Sequence, residues 1–184
     1  MAVQLRHGFK AEANRWARDL RLEQRLSPES PMCPWQLCDH LGLSLTPLSD
    51  FEATVPQAVA YLRSTQGQKD FSGVTLQWGI ERFIVYNDAH DEGRQASDIA
   101  HEIAHALLQH PVPSAFADGQ RTHNEEHEAE ANWLGPALLI SDEAAVAIVA
   151  RRMPMEKAAR IYGTSLEVMQ MRINVSGARK RVAA

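Results

Sequence analysis

The stretch from Ile99 to Leu108, IAHEIAHALL, constrains the fold of this 184-residue chain more than any other part of it. Every side chain in the stretch is apolar except His101, Glu102 and His105. A helix that is apolar nearly all round has to be buried on most of its surface. Burying three titratable groups there costs several kcal/mol unless something pairs with them. The stretch therefore predicts a buried helix whose polar groups share a partner.

A metal ion is the partner that this spacing favours. Residues at i and i+4 project from the same helix face, so His101 and His105 can reach one cation together. We expect zinc, because it binds neutral imidazole and takes a carboxylate and water at its remaining positions. Glu102 lies about 100° further round the helix, where it can act on that water as a general base. A His-Glu-x-x-His pattern of this kind is typical of zinc metallopeptidases.

The third ligand has to come from another segment, and acidic and histidine side chains crowd one further predicted helix. These are His123, Glu125, Glu126, His127, Glu128 and Glu130. We predict Glu128 as the ligand, because Asn132 follows it at i+4 and could accept the outer N–H of a histidine ligand. Glu125 shares the face of Glu128 and is the alternative carboxylate. His123 or His127 would instead make a three-histidine site.

Four neighbouring residues are expected to have structural roles. Glu130 points roughly 160° away from Glu128 and should be solvated. Ala131 is small and would let this helix approach the metal-binding helix closely. Arg94 and Asp98, at i and i+4, should form an ion pair on the helix surface. The acidic cluster also has a simpler interpretation, in which carboxylates stabilise the positive end of a helix dipole.

Composition and charge exclude several classes of protein. Hydrophobic residues make up 45% of the chain and charged residues 23%, as in ordinary globular proteins. The net charge of −4 provides no basic field for nucleic acid. No apolar run approaches the roughly 18 residues that a membrane span needs, and the N-terminal residues lack the apolar core of an export signal. We therefore expect a cytoplasmic protein with no membrane segment.

Hydrophobic periodicity predicts helices before and after a small sheet. The predicted helices cover about 9–26, 35–41, 55–64, 92–109, 124–134, 142–152, 154–162 and 165–175. Val74–Trp78 and Arg82–Tyr86 alternate like strands around Gly79-Ile80 and predict an antiparallel hairpin, with a further strand near Leu43–Leu48. This order indicates an α+β fold with a small antiparallel sheet. Cys33 and Cys38 are expected to be buried thiols on a short helix.

The chain length favours a single domain, 1–184. Its core is expected at about 8–140, followed by a C-terminal helical extension at about 141–184.

Several short pieces, in order along the chain, carry a resemblance to a known family. They are Gly8-Phe9-Lys10-Ala11-Glu12, Arg94-Gln95, the block from His101 to His105, and Glu128-Ala129-Glu130-Ala131-Asn132 with Leu138-Leu139 behind it. In these pieces the chain resembles the ImmA/IrrE family of zinc metallo-endopeptidases. The resemblance implies a mostly helical, zincin-like fold similar to thermolysin. It also implies zinc on His101, His105 and Glu128, with Glu102 as the base.

The resemblance implies a substrate class as well. Characterised members of the family cut helix-turn-helix repressors and so release stress-response or mobile-element genes. A repressor of this kind is therefore the protein substrate that the resemblance implies for this chain.

The resemblance weakens after Asn132. Where the family continues with Phe-Ala and ends Leu-Leu-Met-Pro, this chain runs from Trp133 to Ser141 and contains Pro136. Proline lacks a backbone N–H, so Pro136 is expected to kink or stop the helix one turn past Asn132. The predicted ligands precede this point.

Hydrolysis of a peptide bond also needs a hydrogen-bond donor for the developing oxyanion. Tyr86, at the end of the second strand, His123 and His127 are the candidates.

Two other functions are open to the same sequence. A non-catalytic, zinc-bound module that sequesters a repressor or toxin partner is the main alternative, but such a module has no use for Glu102. Residues 154–175 look like a helix-turn-helix and precede a basic run at Arg179–Arg181. We do not expect direct DNA binding, because the chain is acidic overall and has no basic face.

Overall fold

Helices predominate in the computed structural model, which describes residues 5–112 and 124–183. The helices are α1 (Phe9–Glu23), α2 (Pro34–Leu41), α3 (Pro56–Arg63), α4 (Gly67–Asp70), α5 (Glu92–Leu107), α6 (Glu125–Leu139), α7 (Asp142–Ala150), α8 (Met155–Tyr162), α9 (Leu166–Val175) and α10 (Ala178–Ala183). A 3₁₀ helix covers Leu48–Phe51. Helices thus flank a small sheet on both sides in the chain, which confirms the predicted mostly helical α+β class.

The sheet is mixed rather than purely antiparallel. Its strands are β1 (Ser44–Pro47), β2 (Gly73–Trp78) and β3 (Glu81–Tyr86), in the order β1-β3-β2. β2 and β3 form the predicted hairpin, whereas β1 runs parallel to β3. The prediction of a purely antiparallel sheet is therefore wrong. It missed the parallel pair because parallel strands are joined by a long crossover and so lie far apart in the sequence. The crossover here contains α3, α4 and β2, and no local sequence pattern signals such a pairing.

The main core lies where α5 and α6 meet α1, α2 and the sheet. Phe9, Leu37, Ile84, Ile103 and Leu134 come from these five elements and are each at most 1% exposed. Full burial of a side chain of this size stabilises a fold by about 1.5–3 kcal/mol. A second apolar cluster packs α7, α8 and α9 against the other side of α5 and α6. The helix predicted to carry the chemistry is therefore covered on most of its surface.

Two buried arginines hold the C-terminal end of α6. Arg21 donates hydrogen bonds to the carbonyls of Leu138 and Leu139, and Arg172 donates to the carbonyl of Ile140. The last carbonyls of a helix lack intrahelical partners and form the negative end of its dipole. Burial lowers the pKa of Arg21 to about 10, so its guanidinium stays charged near neutral pH. The end of α6 is thus tied to α1 and to α9.

Pro136 does not stop α6, so of the two outcomes expected from the sequence the stop is wrong, and the kink stays a prediction. The helix continues from Glu125 to Leu139. Proline removes the N–H that would donate to the carbonyl of Asn132, but the N–H of Ile140 still bonds to the carbonyl of Pro136. The last turn therefore closes, and the chain changes direction by 53° between α6 and α7.

Within the described residues, no single helix is long and apolar enough to cross a lipid bilayer. The bent pair of α6 and α7 meets that test together, by length and composition only.

The two cysteines lie in different environments. Cys38 is buried in α2 as predicted, but Cys33 is exposed at the residue that precedes this helix. The expectation that both thiols are buried is therefore wrong for Cys33. Burial raises the pKa of the Cys38 thiol to about 12, and the thiolate is the reactive form of cysteine.

We predict that the native protein at pH 8 reacts with a thiol-specific reagent at Cys33 and not at Cys38. The expected result is one modified thiol per chain when native and two after unfolding in denaturant, because there are two free cysteines. Cys33→Ser should abolish the reaction of the native protein. Rapid modification of Cys38 in the folded state would contradict the burial of this side chain.

Candidate metal centre

Helix α5 carries His101, Glu102 and His105. Asp91 is the N-cap residue directly before this helix, and its side chain accepts a hydrogen bond from the backbone N–H of Arg94. Both histidines are partly exposed on one side of this helix, while Glu102 is only 4% exposed. The predicted helix therefore places the two imidazoles one turn apart and tucks the carboxylate between α5 and the sheet.

Helix α6 brings Glu128 to the two histidines. The side chain of Asn124 accepts hydrogen bonds from the N–H groups of Glu126 and His127, so Glu128 lies in the first turn. One ligand atom each from His101, His105 and Glu128 lies within 4.8 Å of the other two. The structure thus brings together the three residues that the sequence predicts as ligands.

The distances within this group suit a metal ion. The two histidine Nε2 atoms are 3.0 Å apart. Glu128 Oε2 lies 3.3 Å from Nε2 of His101, and Glu128 Oε1 lies 3.7 Å from Nε2 of His105. Two atoms that bind one zinc ion in tetrahedral geometry are roughly 3.3 Å apart. Two imidazoles and one carboxylate are also a common ligand set of catalytic zinc, so this group could hold zinc.

Close contact between α5 and α6 makes this convergence possible. A Cβ atom at Gly135 would lie 3.0 Å from the backbone nitrogen of His101 and 3.1 Å from the carbonyl oxygen of Ala100. Ala131, one turn before Gly135, is fully buried. Glu128, early in α6, reaches His101 and His105, whereas the later Gly135 lies beside the earlier residue Ala100 of α5. The two helices therefore run in opposite directions. The sequence prediction identified Ala131 as the point of approach and missed Gly135.

Glu102 is held from the sheet side. Its Oε2 atom accepts a hydrogen bond of 2.7 Å from the hydroxyl of Thr75 in β2. Gly73, two residues earlier, has no side chain, and a Cβ there would lie 3.4 Å from Glu102 Cγ. Thr75 was missed from the sequence, because only the pairing of β2 with β3 and the packing of both on α5 bring it near Glu102.

A cleft of about 210 Å³ opens beside this group. His101, Glu102 and Glu128 form one wall, and residues 70–73 form the other. A larger cavity of about 640 Å³ lies near His110, outside this group. We assign the candidate site to the smaller cleft, because two members of the metal-binding group, His101 and Glu128, line it together with Glu102.

The outer nitrogen of His105 meets a residue that the sequence prediction did not consider. His105 Nδ1 lies 2.9 Å from Nδ1 of His110. Burial lowers the pKa of His110, which favours its neutral ring. Asn132 is exposed, and within residues 5–112 and 124–183 no hydrogen bond supports the role expected of it. That role stays a prediction.

Glu130 is buried, which corrects the expectation that it is solvated. It is 9% exposed, and its carboxylate meets His110 at 3.1 Å and Arg6 at 2.7 Å. Glu130 comes two residues after Glu128 on the same helix and therefore points to a different face. That face is covered by the N-terminal segment, whose Arg6 donates to the Glu130 carboxylate, so Glu130 is not solvated.

Asp98 has a closer partner than the predicted surface ion pair. Its carboxylate lies 2.8 Å from Nδ1 of the buried His90 and 3.9 Å from Arg94. Burial raises the pKa of Asp98 against the opposing effect of His90. His90 Nε2 also lies 3.0 Å from the carbonyl of Gln68. The pair with Arg94 exists, but it is part of a network beneath the helix surface.

The remaining candidates lie away from the cleft or outside the described residues. Tyr86 packs against the main core, and His127 stacks on His110 with ring centroids 4.3 Å apart. Neither lines the cleft, and the role of either as an oxyanion donor stays a prediction. His123 lies outside the described residues. Glu125 is exposed at the start of α6 and does not belong to the metal-binding group.

Comparison with protein families finds a family model that matches this chain. The family model of a peptidase, described as the IrrE N-terminal-like domain, matches residues 56–174, which is more than half of the chain. The matched segment runs from α3 to α9 and includes the metal-binding group and Glu102. A comparison with curated proteins finds no match to the chain.

We predict that Glu128→Ala abolishes stable zinc binding, because two histidines alone do not make a strong zinc site. Metal analysis after dialysis should find about one zinc ion per chain in the wild type and almost none in this variant. Glu125→Ala removes an exposed carboxylate from the same helix turn and should keep its zinc. Equal zinc content in Glu128→Ala and the wild type would reject Glu128 as a ligand.

We predict that Gly135→Ala destabilises the protein and weakens zinc binding, because the added methyl group pushes α6 from α5. Alanine gains about 0.5–1 kcal/mol over glycine in a helix, but overpacking costs about 1–3 kcal/mol. Denaturant unfolding should therefore show a net loss of about 1 kcal/mol in the free energy of unfolding. Gly93→Ala is a matched control, since its Cβ would lie 3.2 Å from the backbone of Thr164, away from the metal-binding group. Gly93→Ala should lose stability and keep its zinc affinity. If Gly135→Ala kept both the stability and the zinc affinity of the wild type, the close contact between α5 and α6 would be refuted.

Proposed function

We propose that this chain, which belongs to the peptidase family of the IrrE N-terminal-like domain, a family of zinc metallopeptidases, hydrolyses a peptide bond in a helix-turn-helix transcriptional repressor. The observation that carries the proposed hydrolysis is the convergence of His101, His105 and Glu128 beside the buried Glu102. Three ligands and an adjacent carboxylate are what hydrolysis of a peptide bond at a single zinc ion requires.

The residues at the site have two roles in the proposed reaction, three as zinc ligands and one as the general base. His101, His105 and Glu128 would hold zinc, which when bound acidifies water and polarises the scissile carbonyl. Glu102 is the proposed general base. It takes a proton from the attacking water and delivers it to the leaving nitrogen.

Thr75 and Gly73 prepare Glu102 for this part. The hydroxyl of Thr75 holds one carboxylate oxygen of Glu102 at 2.7 Å, which restricts how the side chain can turn. Gly73 leaves open the space beside Glu102 that a side chain would fill. A carboxylate fixed by a hydrogen bond needs little reorganisation before it accepts a proton.

The sheet offers a place for an extended substrate. β2 lies at the edge of the sheet, and its first residue, Gly73, borders the cleft. An edge strand has unpaired backbone groups that can bind an extended peptide. We propose that the segment to be cut lies along β2 and so crosses in front of Glu102.

The identity of the substrate rests on the resemblance to the ImmA/IrrE family. Its regulatory members act on repressors, so we place this chain in a stress-response or mobile-element circuit, with the reaction in the cytoplasm. A zinc-bound module that only sequesters its partner would explain the three ligands. It would not explain why a buried carboxylate is held beside them by Thr75.

We propose further that residues 1–184 form one metallopeptidase domain. The C-terminal helices share a core with α5 and α6, and Arg172 in α9 binds the end of α6 through the carbonyl of Ile140. These contacts support an extension that completes the domain.

We predict that Glu102→Gln keeps zinc but loses cleavage, because glutamine preserves the shape of the side chain and cannot take a proton. The assay incubates each protein with zinc and the repressor encoded beside its gene, and follows the cut by electrophoresis and mass spectrometry. The rate should fall by about 10²–10⁴-fold. Glu92→Gln, an exposed change on the same helix, should cut like the wild type.

Two outcomes would count against this mechanism. Full activity of Glu102→Gln would reject Glu102 as the base. Tight binding of the repressor without any cut by the zinc-loaded wild type would favour the sequestering module.

A further inference from the structure

A row of side-chain contacts connects the metal ligand His105 to the N-terminal segment. His105 Nδ1 lies 2.9 Å from His110 Nδ1, and His110 Nε2 lies 3.1 Å from Glu130 Oε2. Arg6 Nε then donates to Glu130 Oε1 at 2.7 Å. The row joins the segment after α5, the middle of α6 and the residues before α1.

The contacts allow one consistent placement of the ring protons. Nε2 of His105 faces Glu128 and His101, so a neutral His105 that binds a metal through Nε2 carries its proton on Nδ1. That N–H donates to Nδ1 of His110, whose own proton is then on Nε2 and is donated to Glu130. Each donor in the row thus meets an acceptor.

Burial gives this arrangement its strength. His110 is 5% exposed and Glu130 is 9% exposed, so an unmade hydrogen bond in the row would leave a polar group with little access to water. Arg6 compensates the charge of the Glu130 carboxylate. Arg6 is in turn bonded to Glu12 of α1 at 2.7 Å. The row is therefore anchored at its outer end by Arg6, which pairs with the carboxylates of both Glu130 and Glu12.

We propose that His110 is a positioning residue, which fixes the orientation of His105 toward the metal and is itself held by Glu130 and Arg6. This inference rests on the metal site proposed above. A carboxylate-supported imidazole behind a ligand histidine holds the ligand ring in one orientation and raises its basicity. Arg6 lies outside residues 56–174 matched by the family model, so the N-terminal segment would belong to the metal centre.

The test measures zinc affinity by competition with a chromophoric chelator, and the absorption spectrum of the Co²⁺-substituted protein. His110→Phe keeps the ring and removes both hydrogen bonds, and its zinc affinity should fall about 10–100-fold with an altered Co²⁺ spectrum. His110→Asn places an amide oxygen close to the position of Nδ1, where it can accept from His105. This variant should stay closer to the wild type than His110→Phe does.

The surface pair of His40 and Glu23 provides the matched control. His40 Nε2 lies 2.9 Å from Glu23 Oε2, a histidine–glutamate contact that joins α1 and α2 and touches no ligand. His40→Phe should bind zinc with the affinity of the wild type. Thermal unfolding of each variant without metal shows whether it folds. Should His110→Phe fail to fold, the half-exposed Arg6 carries the test, and Arg6→Gln should also weaken zinc binding.

The outcomes separate this inference from the site on which it rests. If the wild type binds no zinc, or if Glu128→Ala binds zinc equally well, the metal site is wrong and this inference fails with it. If zinc binding depends on Glu128 but His110→Phe keeps full affinity and an unchanged Co²⁺ spectrum, only this inference is overturned. Equal losses in His110→Phe and His110→Asn would also overturn it, because they would indicate a packing role for the ring.

Discussion

The backbones of α5 and α6 lie so close at Gly135 that no side chain fits between them, and the metal-binding group depends on this contact. A Cβ at Gly135 would meet the backbone of Ala100 and His101 within about 3.1 Å. Two turns earlier on α6, the same contact presents Glu128 to the histidines. Arg21 and Arg172 bind carbonyls at the end of α6 and fix it along its axis. A shift of about 1 Å in either helix would already spoil the geometry that a zinc ion needs.

Around this contact the protein keeps several polar groups away from water, and each has a partner. Glu102 is bonded to Thr75, and Glu130 to His110 and Arg6. Burying such groups without partners would cost several kcal/mol. The partners come from the sheet on one side of α5 and from the N-terminal segment on the other. The site is therefore assembled by elements that lie far apart in the chain, although both predicted histidine ligands lie on one helix.

Sequence reasoning succeeded where one helix or one hairpin determines the outcome. The i, i+4 spacing of His101 and His105 and the hairpin of β2 and β3 are local features. The ends of the predicted helices 35–41 and 154–162 are local too, since each is followed by a glycine, Gly42 or Gly163, with the positive φ that ends a helix. Reasoning from angles along one helix failed for Glu130, because residues from before α1 cover a face that would otherwise be solvated. The stop expected at Pro136 did not occur, because the helix can lose one hydrogen bond when buried arginines hold its end.

The sequence by itself determined the chemistry: two histidines and a carboxylate on a buried helix, a second helix rich in carboxylates, and a mostly helical fold with a small sheet. These follow from side-chain type and from the periods of helix and strand, which act over a few residues. Only the tertiary structure decided that β1 pairs with β3, that Thr75 meets Glu102, and that His110 meets the outer nitrogen of His105. Those contacts depend on how close two backbones can come and on which segment covers which face. Both are properties of packing between distant parts of the chain.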